Sequence, residues 1–168
     1  MNDSLKDEDG FEEIENPWTD ENKNYVLYKS GYVAELINSY YMYPVKSKLK
    51  LDKSRIYKLI YNISYFSGKF QVGFGDLGVN NKQLKEKGSV GLTCQGLFNE
   101  GEKISDVKLQ KENKQVIFII NLKNNQKYFE VFIDGKSLGK FNFDLEDIYG
   151  LASMHNGSVQ IKTLRSLV

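Results

Sequence analysis

In 168 residues the chain has one cysteine, one histidine, one tryptophan, two prolines and two alanines. Each scarcity excludes something. Cys94 alone cannot form an intramolecular disulfide, and with His155 it cannot supply the ligand set of a His/Cys metal site. Alanine, the strongest helix former, occurs only at Ala34 and Ala152, which removes the usual composition of a helical protein. No apolar run approaches the ~18 residues of a membrane-spanning helix, and Met1 is not followed by the apolar segment of a secretory signal. An excess of one charge is missing too. The 23 basic and 22 acidic residues leave a net +1, which gives no electrostatic footprint for nucleic acid or an anionic membrane. These absences point to a reducing, intracellular compartment, cytoplasmic or nuclear. Asn62-Ile63-Ser64 and Asn156-Gly157-Ser158, which match a glycosylation pattern, are read there as coincidence.

What is present favours strands. Tyr and Phe supply 21 of the aromatic residues, and aromatic side chains suit a pleated, half-buried surface. From Gln115 to Phe143 three apolar or alternating runs are separated by Asn124-Asn125 and by Asp134-Gly135. An Asp-Gly between alternating runs is a strong hairpin signal, because a type I′ turn needs φ > 0 at both central residues. That segment is a β-meander. Tyr57, Leu59, Tyr61, Ile63 and Tyr65 share one face of a long strand, which Ser67-Gly68 is expected to turn back into Lys69–Phe74. Tyr25–Tyr28 and Tyr32–Leu36 flank a turn at Ser30-Gly31, and short strands are expected at Ser89–Thr93 and Gly96–Phe98. A polar loop from Asn99 to Asn113 follows, and a helical turn fits only around Asn80–Lys87. Ile148–Met154 and Ser158–Leu164 are expected to form a last hairpin around Asn156-Gly157. Ten to twelve short strands at this spacing predict an all-β, antiparallel two-sheet sandwich. Residues 1–22, acidic from Asp3 to Glu21, are expected to be a disordered leader, with Trp18 marking where order begins and a single domain over 23–168.

Two motifs invite a catalytic reading. Gly73-Phe74-Gly75-Asp76-Leu77-Gly78 spells the glycine pattern of nucleotide sites, but no βαβ alternation follows it. The glycines are read instead as relaxing a strand end into a loop. Ser153, Cys94 and His155 could formally build a nucleophile–base pair, yet nothing in the sequence brings them together. His155 is read as a solvated loop histidine and Cys94 as a small core residue. No cofactor, metal or catalytic residue is expected.

Several segments together resemble one family. Arg55-Ile56-Tyr57-Lys58-Leu59-Ile60 with Gln71-Val72-Gly73-Phe74 is similar to the paired strands of the SPRY (B30.2-like) domain, a concanavalin-like jelly roll. Ser89-Val90-Gly91-Leu92, Gly96 to Glu102, Val116 to Leu122 and Phe132-Ile133-Asp134-Gly135-Lys136-Ser137-Leu138-Gly139 resemble its later strands and turns. Ile148 to Ser153 with Ser158 to Ile161 resembles its closing hairpin. Tyr or Phe stands where the family commonly has Trp, and Asn121 where an aspartate is frequent. A weaker galectin-like resemblance covers Phe129–Phe143 and Gly157–Leu164, but the sugar-binding His-x-Asn-x-Arg strand and its later Trp are missing.

The SPRY resemblance implies a non-catalytic module that binds a peptide or partner surface through loops at one end of a rigid sandwich. It carries no implication of nucleic-acid or membrane binding. The loops that match are Ser30–Glu35, Asp76–Gln83 and Ser153–Gly157, with Tyr32, Asp76, Leu77, Asn80, Lys82, Met154, His155 and Asn156 as expected contacts. The alternatives that stay open are a lectin-like carbohydrate-binding domain and an architectural subunit of a larger assembly.

Overall fold

A computed structural model describes residues 10–20, 23–37, 39, 43–76, 83–123 and 125–167. Among the described residues thirteen strands are present: Phe11–Ile14 (β1), Trp18–Thr19 (β2), Val26–Tyr28 (β3), Val33–Leu36 (β4), Pro44–Ser47 (β5), Ile56–Gly75 (β6), Ser89–Thr93 (β7), Gly96–Asn99 (β8), Glu102–Ser105 (β9), Gln115–Asn121 (β10), Tyr128–Ile133 (β11), Lys136–Asn142 (β12) and Tyr149–Ser166 (β13). Every pairing among them is antiparallel. No helix among the described residues is long and apolar enough to cross a membrane.

The framework is the pair β6 and β13, which run side by side from Tyr57↔Arg165 to Gly75↔Tyr149. Both bend at their middle and so belong to two layers. The first half of β6 and the second half of β13 carry one sheet, ordered β12-β11-β10-β6-β13-β4-β3. The second half of β6 and the first half of β13 carry the other, with β7, β8 and β9 on one side and β5 and β2 on the other. The fold is therefore the expected sandwich, with its layers joined through two shared strands.

Two expected hairpins are corrected here. Neither Ser67-Gly68 nor Asn156-Gly157 reverses the chain, because each lies inside a continuous strand. At the bend Phe70 faces Met154 and Ser67 faces Asn156, so Gly68 and Lys69 together oppose the single residue His155. That is a β-bulge, and Gly68 supplies its left-handed backbone with φ of +72°. A second bulge leaves Ser64 unpaired between Ile63 and Tyr65. The polar loop expected from Asn99 to Asn113 also contains β9.

The core follows from alternation. Tyr57, Leu59, Tyr61 and Ile63 point inward from β6, and Val116, Phe118 and Ile120 from β10. Phe74, from the other layer, meets Phe118 and Phe129 at 5.5 Å and Phe143 at 5.1 Å, all edge-to-face. Burying one such ring stabilises by roughly 1.5–3 kcal/mol, before the edge-to-face contacts are counted. The Tyr61 hydroxyl, fully buried, donates to the Gly73 carbonyl and accepts from Leu151 N at 3.2 Å, tying one layer to the other. Burial pushes that phenol far above its ordinary range.

Residues 10–20, expected in the leader, are part of the sandwich. β1 pairs with β13 and β2 with β5, and Glu12 meets Arg165 at 3.1 Å. Trp18 is 3% exposed and its indole N–H donates to Val159 O at 3.3 Å. Buried Asn16 accepts from Leu49 N at 2.7 Å and donates to Thr163 Oγ1 at 3.4 Å. The expected leader residues 1–9 and 21–22 lie outside the described residues.

Candidate interaction surface

The expected contacts do not converge on one spot. Asp76 is exposed at the end of β6, where its N–H donates to Gly88 O at 3.0 Å. It lies six residues, roughly 20 Å of strand, from Phe70 and the bend that holds His155. Tyr32 sits on the β1 side: its carbonyl accepts from Ile161 N at 3.0 Å, six residues along β13 from His155. Burial first, and then Glu15 and Glu13 facing it, push its phenol up. Met154 is fully buried opposite Phe70, so its side chain belongs to the core and not to a contact surface. That corrects the expectation of a loop there, since the residue sits inside β13. Leu77, Asn80 and Lys82 lie outside the described residues. Beyond them, Leu84 N donates to Gln71 Oε1 of β6 at 2.7 Å.

His155 and Asn156 do come together, at the bend. Asn156 Nδ2 donates to Ser67 Oγ at 2.7 Å, and the His155 carbonyl accepts from Ser39 N at 2.9 Å. Partial burial and then the cation of Lys69 hold the imidazole below its ordinary pKa. The strand register extends this site across the outer face. Val26, Glu35, Ser158 and Tyr65 form one row across β3, β4, β13 and β6. Tyr65 Oη donates to Glu35 Oε2 at 2.8 Å, and Tyr28 Oη lies 3.1 Å from Ser158 Oγ. Val26 is 62% exposed, Ile37 61%, Tyr65 40% and Tyr28 39%. Exposed apolar and aromatic side chains beside polar groups make this face a candidate contact surface.

Sequence reasoning missed Tyr65, Tyr28, Val26 and Ile37. The period-2 pattern assigns Tyr65 to the core with Tyr57 and Tyr61, but the unpaired Ser64 shifts the register by one and turns it outward. Val26 and Tyr28 alternate with half-buried Leu27, and that alternation was readable.

The groups that suggested catalysis have structural places. A Cβ on Gly73 would lie 1.9 Å from Val90 O and one on Gly75 2.2 Å from Gly88 O, so these glycines permit close strand contact. Cys94 is half-buried, with its sulfur 3.6 Å from Phe70 O, and burial pushes the thiol up. Among the described residues no group of three or more His, Cys, Asp or Glu is placed to hold a metal ion.

No protein-family model matches the sequence, and no curated protein matches it. Solved structures do match. The TRIM65 PSpry domain superposes with a TM-score of 0.67 at 10% identity, over 88% of this chain and 92% of that one. The fold is that of a SPRY domain. A human SPRY domain gives 0.60 at 13% identity over 83% and 94%, and the SPRY domain of human HERC1 gives 0.61 at 9% over 86% and 92%. On this SPRY fold the bend of β6 and β13 faces outward with His155, Asn156 and the tyrosine row, while Trp18, the sole tryptophan, is sealed in the core.

Proposed function

We propose that this chain is a non-catalytic protein-interaction module, working in the cytoplasm or nucleus, which binds a peptide or partner surface at the bend of β6 and β13. The observation that carries the reading is the set of exposed side chains Val26, Tyr28 and Tyr65, with Val26 and Tyr65 in one register row across β3, β4, β13 and β6, next to the bend that holds His155 and Asn156. The surface is built on strands whose inner faces are fully packed, so little order has to be created on binding. Tyrosine adds contact area at low entropic cost, and the polar groups fix register. The resemblance to SPRY domains supports the same reading. Asp76, exposed at the end of β6, is read as a second contact together with its sequence neighbours Leu77, Asn80 and Lys82. An assembly role is compatible, with the bound partner then a neighbouring subunit.

Affinity capture from native extract tests this, with the wild type compared to Tyr28→Ser/Tyr65→Ser/His155→Ala. Partners held by the wild type and lost by the variant, at unchanged thermal midpoint, are expected. Identical capture by both overturns the reading. A glycan array is expected to give no hit that free sugar inhibits.

A further inference from the structure

A second surface lies on the far side of the meander. Residues 106–113 run from β9 to β10 and are anchored by Leu109, buried, whose N–H donates to Thr93 O at 2.9 Å. Asp134, at the β11–β12 turn, clamps the end of this loop. Its carboxylate accepts from Asn113 Nδ2 at 2.9 Å, Lys114 N at 3.0 Å and Gln115 N at 2.9 Å. Between the loop and the hairpin is a groove of about 620 Å³, within the size range of built binding pockets. Val107, Ile133 and Leu138 line it with apolar surface, and Val107 is 43% exposed.

The lining carries two cations, Lys108 and Lys136, against one carboxylate, Asp134. Lys108 and Lys136 both line the groove, are exposed, and enter no ion pair among the described residues. The one carboxylate in the lining is Asp134, with both oxygens taken by the donors just given. Of the nearby acids, Asp106 is held by Lys103 at 3.1 Å and Glu130 by Ser137 Oγ at 2.8 Å. β12, alongside, ends the sheet, with no strand on its other edge among the described residues.

We propose that this groove docks an extended acidic segment of a protein partner. An apolar side chain of that segment sits on Val107, Ile133 and Leu138, and flanking Asp or Glu side chains pair with Lys108 and Lys136. Two lysines, unpaired among the described residues, against one carboxylate leave a net positive lining beside an apolar floor. This favours that chemistry, because an acidic ligand gains attraction where a basic one is repelled. The site shares no residue with the tyrosine row, so the two surfaces succeed or fail separately.

The test is a displayed random 12-residue peptide library selected on the full chain, with excess soluble Lys108→Glu/Lys136→Glu variant as competitor. Selection is expected to enrich sequences with at least two Asp or Glu around an apolar residue. The corresponding synthetic peptides are expected to shift the amide resonances of residues 107–113 and 133–138 and to bind the double variant roughly tenfold more weakly. Lys108→Arg/Lys136→Arg is expected to keep binding, and Leu138→Ser to weaken it. Enrichment of non-acidic sequences, no enrichment, or shifts confined to the tyrosine row would overturn the proposal. So would a concentration-dependent dimer in sedimentation that the double variant abolishes, since the groove would then serve a second copy of this chain.

Discussion

In the β10–β12 meander, Asp134 and Gly135 take φ of +48° and +85° and reverse the chain. In the β6–β13 pair, Gly68 takes a similar +72°, yet the strand continues. The difference lies in what the flanking runs can pair with. β11 and β12 have each other as immediate neighbours, so a left-handed pair between them closes a hairpin. The two halves of β6 each have β13 as partner, and a left-handed residue between them only inserts a bulge and bends the strand. A turn residue permits a reversal, and long-range pairing decides whether one happens. The bend is where His155 and Asn156 come together, so the same left-handed backbone reverses the chain in one region and bends a paired strand in the other.

The comparison breaks most severely at Gly73. Its missing Cβ leaves room for Val90 O and for the Gly91 Cα, both backbone atoms that cannot swing aside. Gly73→Ala is expected to cost about 4 kcal/mol or more, or to prevent folding, as read from urea unfolding. A loss below 1 kcal/mol would show that β6 and β7 separate easily and that the second layer is soft.

A finer contrast pits Gly157 against Gly135. Gly157 has no left-handed backbone, but an added Cβ would meet Tyr65 O at 2.9 Å and Phe66 and Phe70 at 3.0 Å. Gly135 has open space around it and a left-handed φ. Gly157→Ala is expected to cost about 2–3 kcal/mol through crowding, and Gly135→Ala about 1–2 kcal/mol through backbone strain. If Gly135→Ala proved the more damaging, the Asn-Gly of β13 would be dispensable and the bend would rest on β6 alone.

How much was legible follows the same division. The meander, the β3–β4 turn and the β7–β8 hairpin were readable because their signals and their partners are neighbours in sequence. The long strands were not, since a bulge and a hairpin share their residues. β1 and β2 were hidden because Phe11, Ile14 and Trp18 sit among carboxylates, and their anchoring comes from β13 and β5, more than twenty residues away. At the candidate site, His155 and Asn156 lie together at the bend, while Met154 was misplaced by the supposed hairpin and Tyr65 by the bulge at Ser64.

Asp134 allows the meander to be probed by charge alone. Partial burial opposes its ionisation, but hydrogen bonds from Asn113, Lys114 and Gln115 outweigh that and hold the carboxyl below its ordinary value of 3.8. A folded pKa below the unfolded one gives stability that is fully present above that ordinary value and lost as pH falls through the folded value. Asp134→Asn keeps an acceptor and tolerates the left-handed backbone. It is expected to cost under about 1 kcal/mol at neutral pH and to flatten the acid limb of the stability curve below pH ~4. An unchanged acid limb would mean the three donors bind the amide as well as the carboxylate.

The smallest effect is expected at the bend itself, from His155. Partial burial, and secondarily Lys69, lower its pKa from the ordinary 6.5, so the folded chain binds its proton less readily than the unfolded one. The resulting stability is fully present above that ordinary value and is lost as pH falls from there towards the folded value, after which it stays level. Because the imidazole is only partly buried and water still screens it, the change is expected to be a few tenths of a kcal/mol. It is best read by following the ring protons by NMR rather than by unfolding. The imidazole should titrate below 6.5, and Lys69→Gln should move the titration up only in part, since burial is the larger cause. Full return to the ordinary value in Lys69→Gln would make the bend electrostatically open and leave burial without a role there. A titration unmoved by Lys69→Gln would mean that the bulge carries Lys69 away from His155, and that the two sides of the bend are less closely coupled than the strands of the meander.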